Sequence, residues 1–403
     1  MTFCRSPFEL SPLELASGLV FGSTRRHIPD PGDVRTVPLD ALEAAVLPAL
    51  ARGPCFVSFS GGRDSSIVLA AAVSAARREG LPLPVPVTNV FPAAARSLES
   101  EWQELVIAHL GLDEWVRLEL HEELDCVGPQ ARRILERHGL LWPFNGHFHA
   151  PLLGIARGGT LLTGIGGDEL LGASHWARAA SVLSGAMRPQ IRDIGRIGLA
   201  VAPSAIRRAA LRRRYHVDSR LSWLTDRAND ELRQRSADDL ASEPLRWADR
   251  RRWWGEQRAT QIGLRSLELI AKDSGARIQH PFTNDGFIAS VADLATRNRL
   301  HDRTSVLLGA FSGLLPRPIL ERTSKAAFGS VFFGPESRAM TGAALEVLEG
   351  LEPLVLDALR DEWSSTSPDA HSFLLLQAAF VRRASEAAGN LHFRTVVAPS
   401  ERT

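Results

Sequence analysis

The stretch that decides the fold is Phe59-Ser60-Gly61-Gly62-Arg63-Asp64-Ser65-Ser66. Its first two residues are the end of a short apolar run, Cys55 to Ser60. This run is bounded by Gly-Pro and Gly-Gly and therefore predicts a buried strand. After the glycines, apolar residues recur at helical spacing from Asp64 to Arg78 and predict a helix. Tight glycine turns and the amides of a helix N-terminus together favour a bound anion. The stretch therefore predicts an anion cradle at the end of a strand.

The same order of strand, glycine turn and helix recurs along the chain. A helix is predicted over 39–51, a second strand over 85–91 with a helix over 97–110, and a third strand over 159–163 that runs into another glycine-rich turn. This repetition indicates an α/β fold with a doubly wound parallel sheet. After about residue 173 the periodicity becomes helical. We expect an N-terminal arm over 1–40, a main domain over 41–335 with its α/β core ending near 173, and a helical C-terminal extension over 336–403.

Composition excludes several functional classes. The 403 residues carry 47 basic and 46 acidic side chains, so no net field attracts nucleic acid or an anionic membrane. The three cysteines are too few for a disulfide framework. The N-terminus lacks a signal-peptide pattern, and no apolar run approaches 18 residues. We expect a cytoplasmic protein with no nucleic-acid or membrane partner. The Arg-rich stretch over 174–265 is interspersed with Glu and Asp, which favours a solvated helical face over a docking site for an acidic partner.

Lysine is almost absent from the chain. Lys272 and Lys325 are the two lysines among the 47 basic residues, and the others are arginines. Arginine presents a rigid fork of donors, whereas lysine carries a compact charge on a flexible stem. A lysine retained in such a chain is therefore a candidate for a role that arginine cannot fill.

The residues of the cradle suggest a phosphate ligand with a metal ion. The hydroxyls of Ser60, Ser65 and Ser66 add donors to the backbone amides. The GxxxxGK[ST] spacing is absent, so transfer of a terminal phosphoryl group is not implied. The carboxylate of Asp64 would repel a bound anion if it faced it directly. It could instead hold Mg²⁺ between itself and the phosphate oxygens. The alternative is a Gly-Gly turn followed by a helix cap.

This stretch resembles the SGGxDS pyrophosphate-binding loop of the ATP pyrophosphatase (PP-loop) superfamily. A second stretch over 163–172, TGIGGDELLG, resembles the GxGxDE(L/V)xGG loop of the asparagine synthetase synthase domain. Weaker matches follow in the family's order and span roughly residues 40 to 335. They are Phe91-Pro92, Glu99 to Trp102, Ala108 to Gly111, Pro281 to Asn284, Leu315-Pro316 and Arg322 to Phe328.

The resemblance implies an AMP-forming ligase with a PP-loop fold, ATP and Mg²⁺. Such an enzyme adenylates a carboxylate, releases pyrophosphate and lets an amine attack. Lys325 matches the family's catalytic lysine, which stabilises charge during that attack. The implied Mg²⁺ ligands are Asp64 and Asp168. The implied ATP-binding residues are Ser60, Gly61, Gly62, Asp64, Ser65, Ser66 and Gly167 around the phosphates, and the backbone around Phe59, Asn89, Thr163 and Gly164 around the adenosine.

The sequence also departs from the family. About 50 residues precede the first loop and position 2 is Thr, so we expect no glutaminase domain, and ammonia from solution, ammonia from a partner protein and a different amine all stay open. Ile165 replaces a Glu of the second loop that helps to handle ammonia. A second family lysine falls at Thr304, and Arg303 beside it is the expected replacement for contact with pyrophosphate.

A catalytic carboxylate is a further candidate. Relatives that close a β-lactam use a helix Glu near the position of Arg265, and Glu268 is the nearest carboxylate substitute. The alternative is a solvent-facing helix residue. The stretches KDSGARIQHPFTND and ERTSKAAFG are similar to asparagine-synthetase-like cyclases such as lasso peptide cyclases. The expected substrates are thus a small-molecule or peptide carboxylate and an amine, in natural-product biosynthesis.

Two other functions are alternatives to an amide-forming ligase. A tRNA-modifying enzyme is disfavoured by the near-zero net charge and the absence of CxxC. A degenerate, non-catalytic nucleotide-binding partner is the other rival.

The stretch from Trp142 to His149 could line the acceptor pocket, and the spacing of His147 and His149 also suits a metal. Lys272 is either an ion-paired surface residue or helps to neutralise the acyl-adenylate, and Trp253-Trp254 indicates core packing.

Overall fold

The computed structural model describes residues 3–24, 36–92, 100–172, 174–185, 187–214, 220–298, 302–323 and 329–394. Lys325 lies outside these residues, as do residues 97–99 of a predicted helix. In the described part of the chain, no helix combines the length and the apolar character needed to cross a membrane.

A five-stranded parallel sheet forms the centre of the protein. Its strand order is β3-β2-β1-β4-β5, and every pair of neighbours is parallel. The strands are β1 (Cys55–Ser58), β2 (Val85–Val90), β3 (Val116–Glu119), β4 (Thr160–Leu162) and β5 (Arg277–Gln279). The predicted α/β parallel sheet is therefore confirmed.

Helices surround the sheet and make up the C-terminal part. In chain order they are α1 (Pro12–Ser17), α2 (Pro38–Arg52), α3 (Arg63–Glu79), α4 (Ser100–Leu110), α5 (Pro129–His138), α6 (Ala150–Ile155), α7 (Gly167–Leu171), α8 (Ala177–Leu183), α9 (Asp193–Val201), α10 (Ser204–Arg214), α11 (Asp226–Ser242), α12 (Trp247–Glu256), α13 (Arg258–Asp273), α14 (Asp285–Arg297), α15 (Arg303–Phe311), α16 (Arg317–Glu321), α17 (Pro335–Leu348), α18 (Leu356–Ser364) and α19 (Phe373–Arg394). Short 3₁₀ turns cover Gly146–His149, Pro281–Thr283, Gly329–Phe332 and Ala370–Ser372.

Both faces of the sheet are covered, as a doubly wound fold requires. Val57 and Leu162 pack on one face with α2, α3 and α14. Their neighbours Phe56 and Leu161 pack on the other face with α6 and α13. This alternation follows from the two-residue period of a strand. Strands that are buried on both faces read as apolar runs, and this is why β1 and β4 could be predicted.

The N-terminal and C-terminal segments share a separate core. Leu13 and Ala16 of α1 are buried with Leu345 of α17 and Phe373 of α19 in one apolar cluster. The indole nitrogen of Trp223 donates to the carbonyl of Ala16 at 2.8 Å. The arm that we expected over 1–40 therefore contributes α1 to a packed core together with helices of the expected C-terminal extension.

Candidate active site

Both glycine loops lie at the point where the winding of the sheet reverses. β1 and β4 are neighbours, and the chain continues from β1 through β2 to β3 on one side and from β4 to β5 on the other. Their carboxyl ends lead into Ser60 and Thr163 respectively. Ligands of open parallel sheets bind in the crevice outside the carboxyl ends of the strands at such a switch point.

The first loop forms a braced turn ahead of α3. Gly61 has a φ of 81°, in the left-handed region that favours glycine. Buried Gln103 on α4 donates to the carbonyl of Ser60 at 3.1 Å, and a side chain at Gly61 would meet it, since a Cβ atom there would lie 2.7 Å from its Cγ. The hydroxyl of Ser65 lies 3.1 Å from that of Ser60, and the hydroxyl of Ser66 donates to the carbonyl of Gly62 at 2.8 Å. The loop is thus held in shape before any ligand arrives.

The second glycine loop packs directly against the first. A Cβ atom at Gly164 would lie 2.9 Å from the amide nitrogen of Ser65. At Gly167, the first residue of α7, a Cβ atom would lie 2.5 Å from Oδ1 of Asp64. Both positions therefore have room for hydrogen alone. The structure brings together the two motifs that the sequence predicted to share one site.

Arg303 joins the two predicted metal ligands. One of its terminal nitrogens donates to the carboxylate of Asp64 at 2.5 Å, and the other donates to the carboxylate of Asp168. Burial raises the pKa of Asp64, and the charge of Arg303 opposes that shift. Burial also lowers the pKa of Arg303, but Asp64 and Asp168 outweigh this and raise it. The three side chains thus form a charge cluster beside the first loop, and the expected contact of Arg303 with pyrophosphate stays a prediction.

The donor set suits a magnesium ion. Two carboxylates supply the hard oxygen ligands that Mg²⁺ prefers, and phosphate oxygens and waters complete such sites in nucleotide enzymes. Burial keeps the pKa of Asp64 raised even with Arg303 beside it, so a further cation would stabilise its charged form. Among the described residues no group of three His, Cys, Asp or Glu side chains forms a ligand set, so a metal at this point would depend on the nucleotide.

Arg303→Gln tests this competition between the guanidinium and a metal. We expect the metal-free variant to lose about 1–3 kcal/mol of stability, because a half-buried ion pair is broken and two carboxylates are left together. With ATP present, Mg²⁺ should then raise the Tm of the variant more than that of the wild type, as measured by thermal unfolding with and without the ion. Arg297→Gln, which breaks an exposed i,i+4 pair with Asp293, is the control and should cost less than about 1 kcal/mol. Equal responses to Mg²⁺ in both variants would contradict the idea.

The residues expected around the adenosine lie at the ends of β1, β2 and β4. Phe59 is buried, its amide donates to Val87 at 2.9 Å, and its carbonyl accepts from the hydroxyl of Thr88 at 2.6 Å. One lone pair of that carbonyl is left for a ligand. Asn89 donates from its side-chain nitrogen to the carbonyl of Phe148 at 3.0 Å, while its Oδ1 is buried without a hydrogen-bond partner. The hydroxyl of Thr163 lies 2.6 Å from Nδ1 of His280.

The two histidines of the HxH pattern have different roles. His147 is buried, and its ring nitrogens lie 3.1 Å from the carbonyl of Phe144 and 2.9 Å from that of Leu124. It is therefore a packed structural residue. Nδ1 of His149 is buried and has no hydrogen-bond partner among the described residues. A hydrogen bond between this ring and the backbone of Gly146 contributes to its pKa. Because both ring nitrogens of His147 lie against backbone carbonyls, the pair does not form the metal site that its spacing allowed.

Several residues at the loop were missed by sequence reasoning. Buried Arg322 donates to the carbonyl of Gly61 at 3.0 Å and lies over the ring of Trp102 at 5.0 Å, so Arg322 is fixed on the first loop. Arg63 donates to the hydroxyl of Thr304 at 3.2 Å. Arg322 stands in the matched C-terminal motif, and this was the available signal. The contact of Arg63 joins positions 241 residues apart and has no signal in one sequence.

The other residues singled out lie away from these contacts. Glu268 is exposed on α13 and pairs with Arg265 at 2.8 Å on the same helix. No contact described in the structure joins it to either glycine loop, so its catalytic role stays a prediction. Lys272 is exposed near the end of α13. Trp254 is half-buried against the core that contains α2 and α3, as expected for a packing residue.

The chain matches a known protein family over most of its length. The family model described as asparagine synthase matches residues 39–393. The chain belongs to the asparagine synthase family. The family consists of ATP-dependent ligases that form amide bonds, and the PP-loop arrangement of the two glycine loops agrees with it. The match includes residues 336–393 of the expected C-terminal extension. No curated protein matches the chain significantly.

Proposed function

We propose that the protein adenylates a carboxylate with ATP and then lets an amine displace AMP. The proposal is supported above all by the packing of Gly164 and Gly167 against Ser65 and Asp64, which brings two nucleotide-binding motifs to one switch point. The first loop would bind the phosphates through its amides and hydroxyls. Mg²⁺ held by Asp64 and Asp168 would neutralise the charge of the departing pyrophosphate.

Adenylation and amide formation each form one bond and break another. A carboxylate oxygen bonds to the α-phosphorus of ATP while the bond to the bridging oxygen breaks, and pyrophosphate leaves with the electron pair. The amine nitrogen then bonds to the acyl carbon, the bond from that carbon to the phosphate oxygen breaks, and AMP leaves with the pair. One proton is lost from the nitrogen. Lys325, three residues beyond the anchored Arg322, would stabilise the charge that develops during this second step.

The class of substrate follows from the sequence motifs. Ile165 removes a carboxylate that handles ammonia in the family, which counts against ordinary asparagine synthesis. The similarity of 271–284 and 321–329 to peptide cyclases supports a natural-product ligase, and cyclisation of a peptide through its own amine is the main variant of that idea. A non-catalytic nucleotide-binding partner is the alternative.

Carboxylate-dependent exchange of labelled pyrophosphate into ATP tests the proposal. We expect exchange with at least one member of a panel of aspartate, glutamate and Asp- or Glu-containing peptides, because adenylation is reversible and needs no amine. ADP and phosphate as products would contradict the assignment. ATP binding without exchange on any member would favour the non-catalytic partner.

A further inference from the structure

Among the described residues, three buried side-chain atoms near the carboxyl ends of the strands have no hydrogen-bond partner. They are Oδ1 of Asn89, Nδ1 of His149 and Nε2 of His280. Buried polar groups in folded proteins are nearly always hydrogen-bonded, and each exception calls for an explanation. Asn89 is the last residue but one of β2, and His280 comes directly after β5. The atoms are thus concentrated at the edge of the sheet that also carries both glycine loops.

Neighbouring contacts link these three residues and fix which atoms stay open. The amide nitrogen of Asn89 is used by the carbonyl of Phe148, so its oxygen is the free atom. His149 is the next residue in the chain. Nδ1 of His280 is used by Thr163, so Nε2 is free. The amide of Ile165 lies 3.3 Å from the same Thr163 hydroxyl, which connects the cluster to the second glycine loop.

Both histidines are uncharged at neutral pH. Burial lowers the pKa of His149 to about 4. Burial, together with neighbouring His149, lowers the pKa of His280 to about 3. No carboxylate contributes to either shift among the described residues. The cluster is therefore polar but carries no charge, and it stabilises neither a carboxylate nor an ammonium ion by ion pairing.

We propose that Asn89, His149 and His280 bind the attacking amine in its uncharged form. The inference rests on the proposed function, because it names the site of that reaction's second substrate. An amine must lose its extra proton before it can attack, and ammonia or a primary amine then presents N–H donors. The oxygen of Asn89 accepts such a donor, and so does a neutral imidazole nitrogen in one of its tautomers.

Variants that remove one ring nitrogen at a time provide the test. His280→Asn keeps an atom near Nδ1 for Thr163 but removes Nε2, whereas His280→Gln keeps the Nε2 position and is the matched control. His149→Gln removes Nδ1. With ammonium chloride as the amine and a carboxylate that supports exchange, we expect His280→Asn and His149→Gln to raise the KM for ammonia about tenfold, the size of one lost hydrogen bond. Pyrophosphate exchange, which needs no amine, should change less than twofold.

The outcomes separate this inference from the proposed function. Absence of exchange in the wild type contradicts adenylation itself. Normal exchange with an unchanged KM for ammonia in His280→Asn and His149→Gln overturns the amine site alone. A raised KM for ATP instead would assign the cluster to the adenosine and also overturn it.

A binding measurement decides the inference without turnover. Titration of the full-length, ¹⁵N-histidine-labelled protein with ammonia at pH 9 should shift the imidazole signals of His149 and His280, identified from their variants. The signal of His147, whose two nitrogens are engaged, should stay unchanged. Unchanged signals for all three rings would overturn the proposal whether or not a carboxylate substrate is found.

Discussion

Replacing Gly167 by alanine is expected to lower carboxylate-dependent pyrophosphate exchange by on the order of 10²-fold. A Cβ atom at this position would lie 2.5 Å from Oδ1 of Asp64, so the carboxylate or the second loop must move. A displacement of about 1 Å in a group that positions reactants costs roughly that factor. The strained packing should also cost about 1–3 kcal/mol of stability. Exchange kinetics and thermal unfolding of the purified variant measure both effects.

Gly342→Ala is the matched control for this substitution. Gly342 is exposed within α17, and nothing lies within 4 Å of a Cβ atom built there. The control should retain full exchange activity and gain about 0.5–1 kcal/mol, because alanine is the better helix former. If Gly167→Ala also kept full activity, the contact between the two loops would have no part in ATP activation.

Lys325→Ala is expected to lower kcat by on the order of 10²- to 10³-fold with a smaller effect on ATP affinity. The estimate follows from removing one donor that stabilises developing charge. Lys325→Arg should recover little of the loss, because a rigid guanidinium fork does not follow a charge that shifts during the reaction. Steady-state kinetics with saturating ATP measures kcat, and nucleotide titration measures binding.

The other lysine provides the comparison. Lys272 is exposed near the end of α13, so Lys272→Ala should keep kcat within about twofold if it is an ordinary surface residue. Near-normal turnover in Lys325→Ala would refute the catalytic assignment. A large loss in Lys272→Ala would instead support its alternative role at the acyl-adenylate.

The sequence predicted the centre of the sheet better than its edges. β1, β2 and β4 were expected within a few residues of their observed bounds, because strands buried on both faces form apolar runs next to glycine turns. β3 and β5 were missed. β3 alternates apolar and polar residues, Val116 to Glu119, which is the two-residue period of a half-buried strand, so a signal was present and was not used. β5 has three residues with Arg277 exposed and shows no such pattern, so it is determined by its neighbours rather than by its own residues.

The candidate site was predictable in its glycine loops but not in its ion pairs. The loops have a local signal, since glycine, serine and aspartate at fixed spacing between strand and helix indicate phosphate binding. The bridge from Arg303 to Asp64 joins positions 239 residues apart, and sequence reasoning reached Arg303 only as a substitute for a missing lysine. The open nitrogens of His149 and His280 depend on burial in the folded chain, and no spacing in the sequence indicates them.

The shared core of α1, α17 and α19 also bears on how the chain reaches its fold. Phe373 and its neighbours on α19, which cover α1, are made more than 350 residues after it. The apolar face of α1 therefore stays without α19 until those residues have been made. Contacts of such long sequence separation form slowly, and uncovered apolar surface promotes aggregation in the meantime. We expect the newly made chain to need a chaperone until α19 closes over α1.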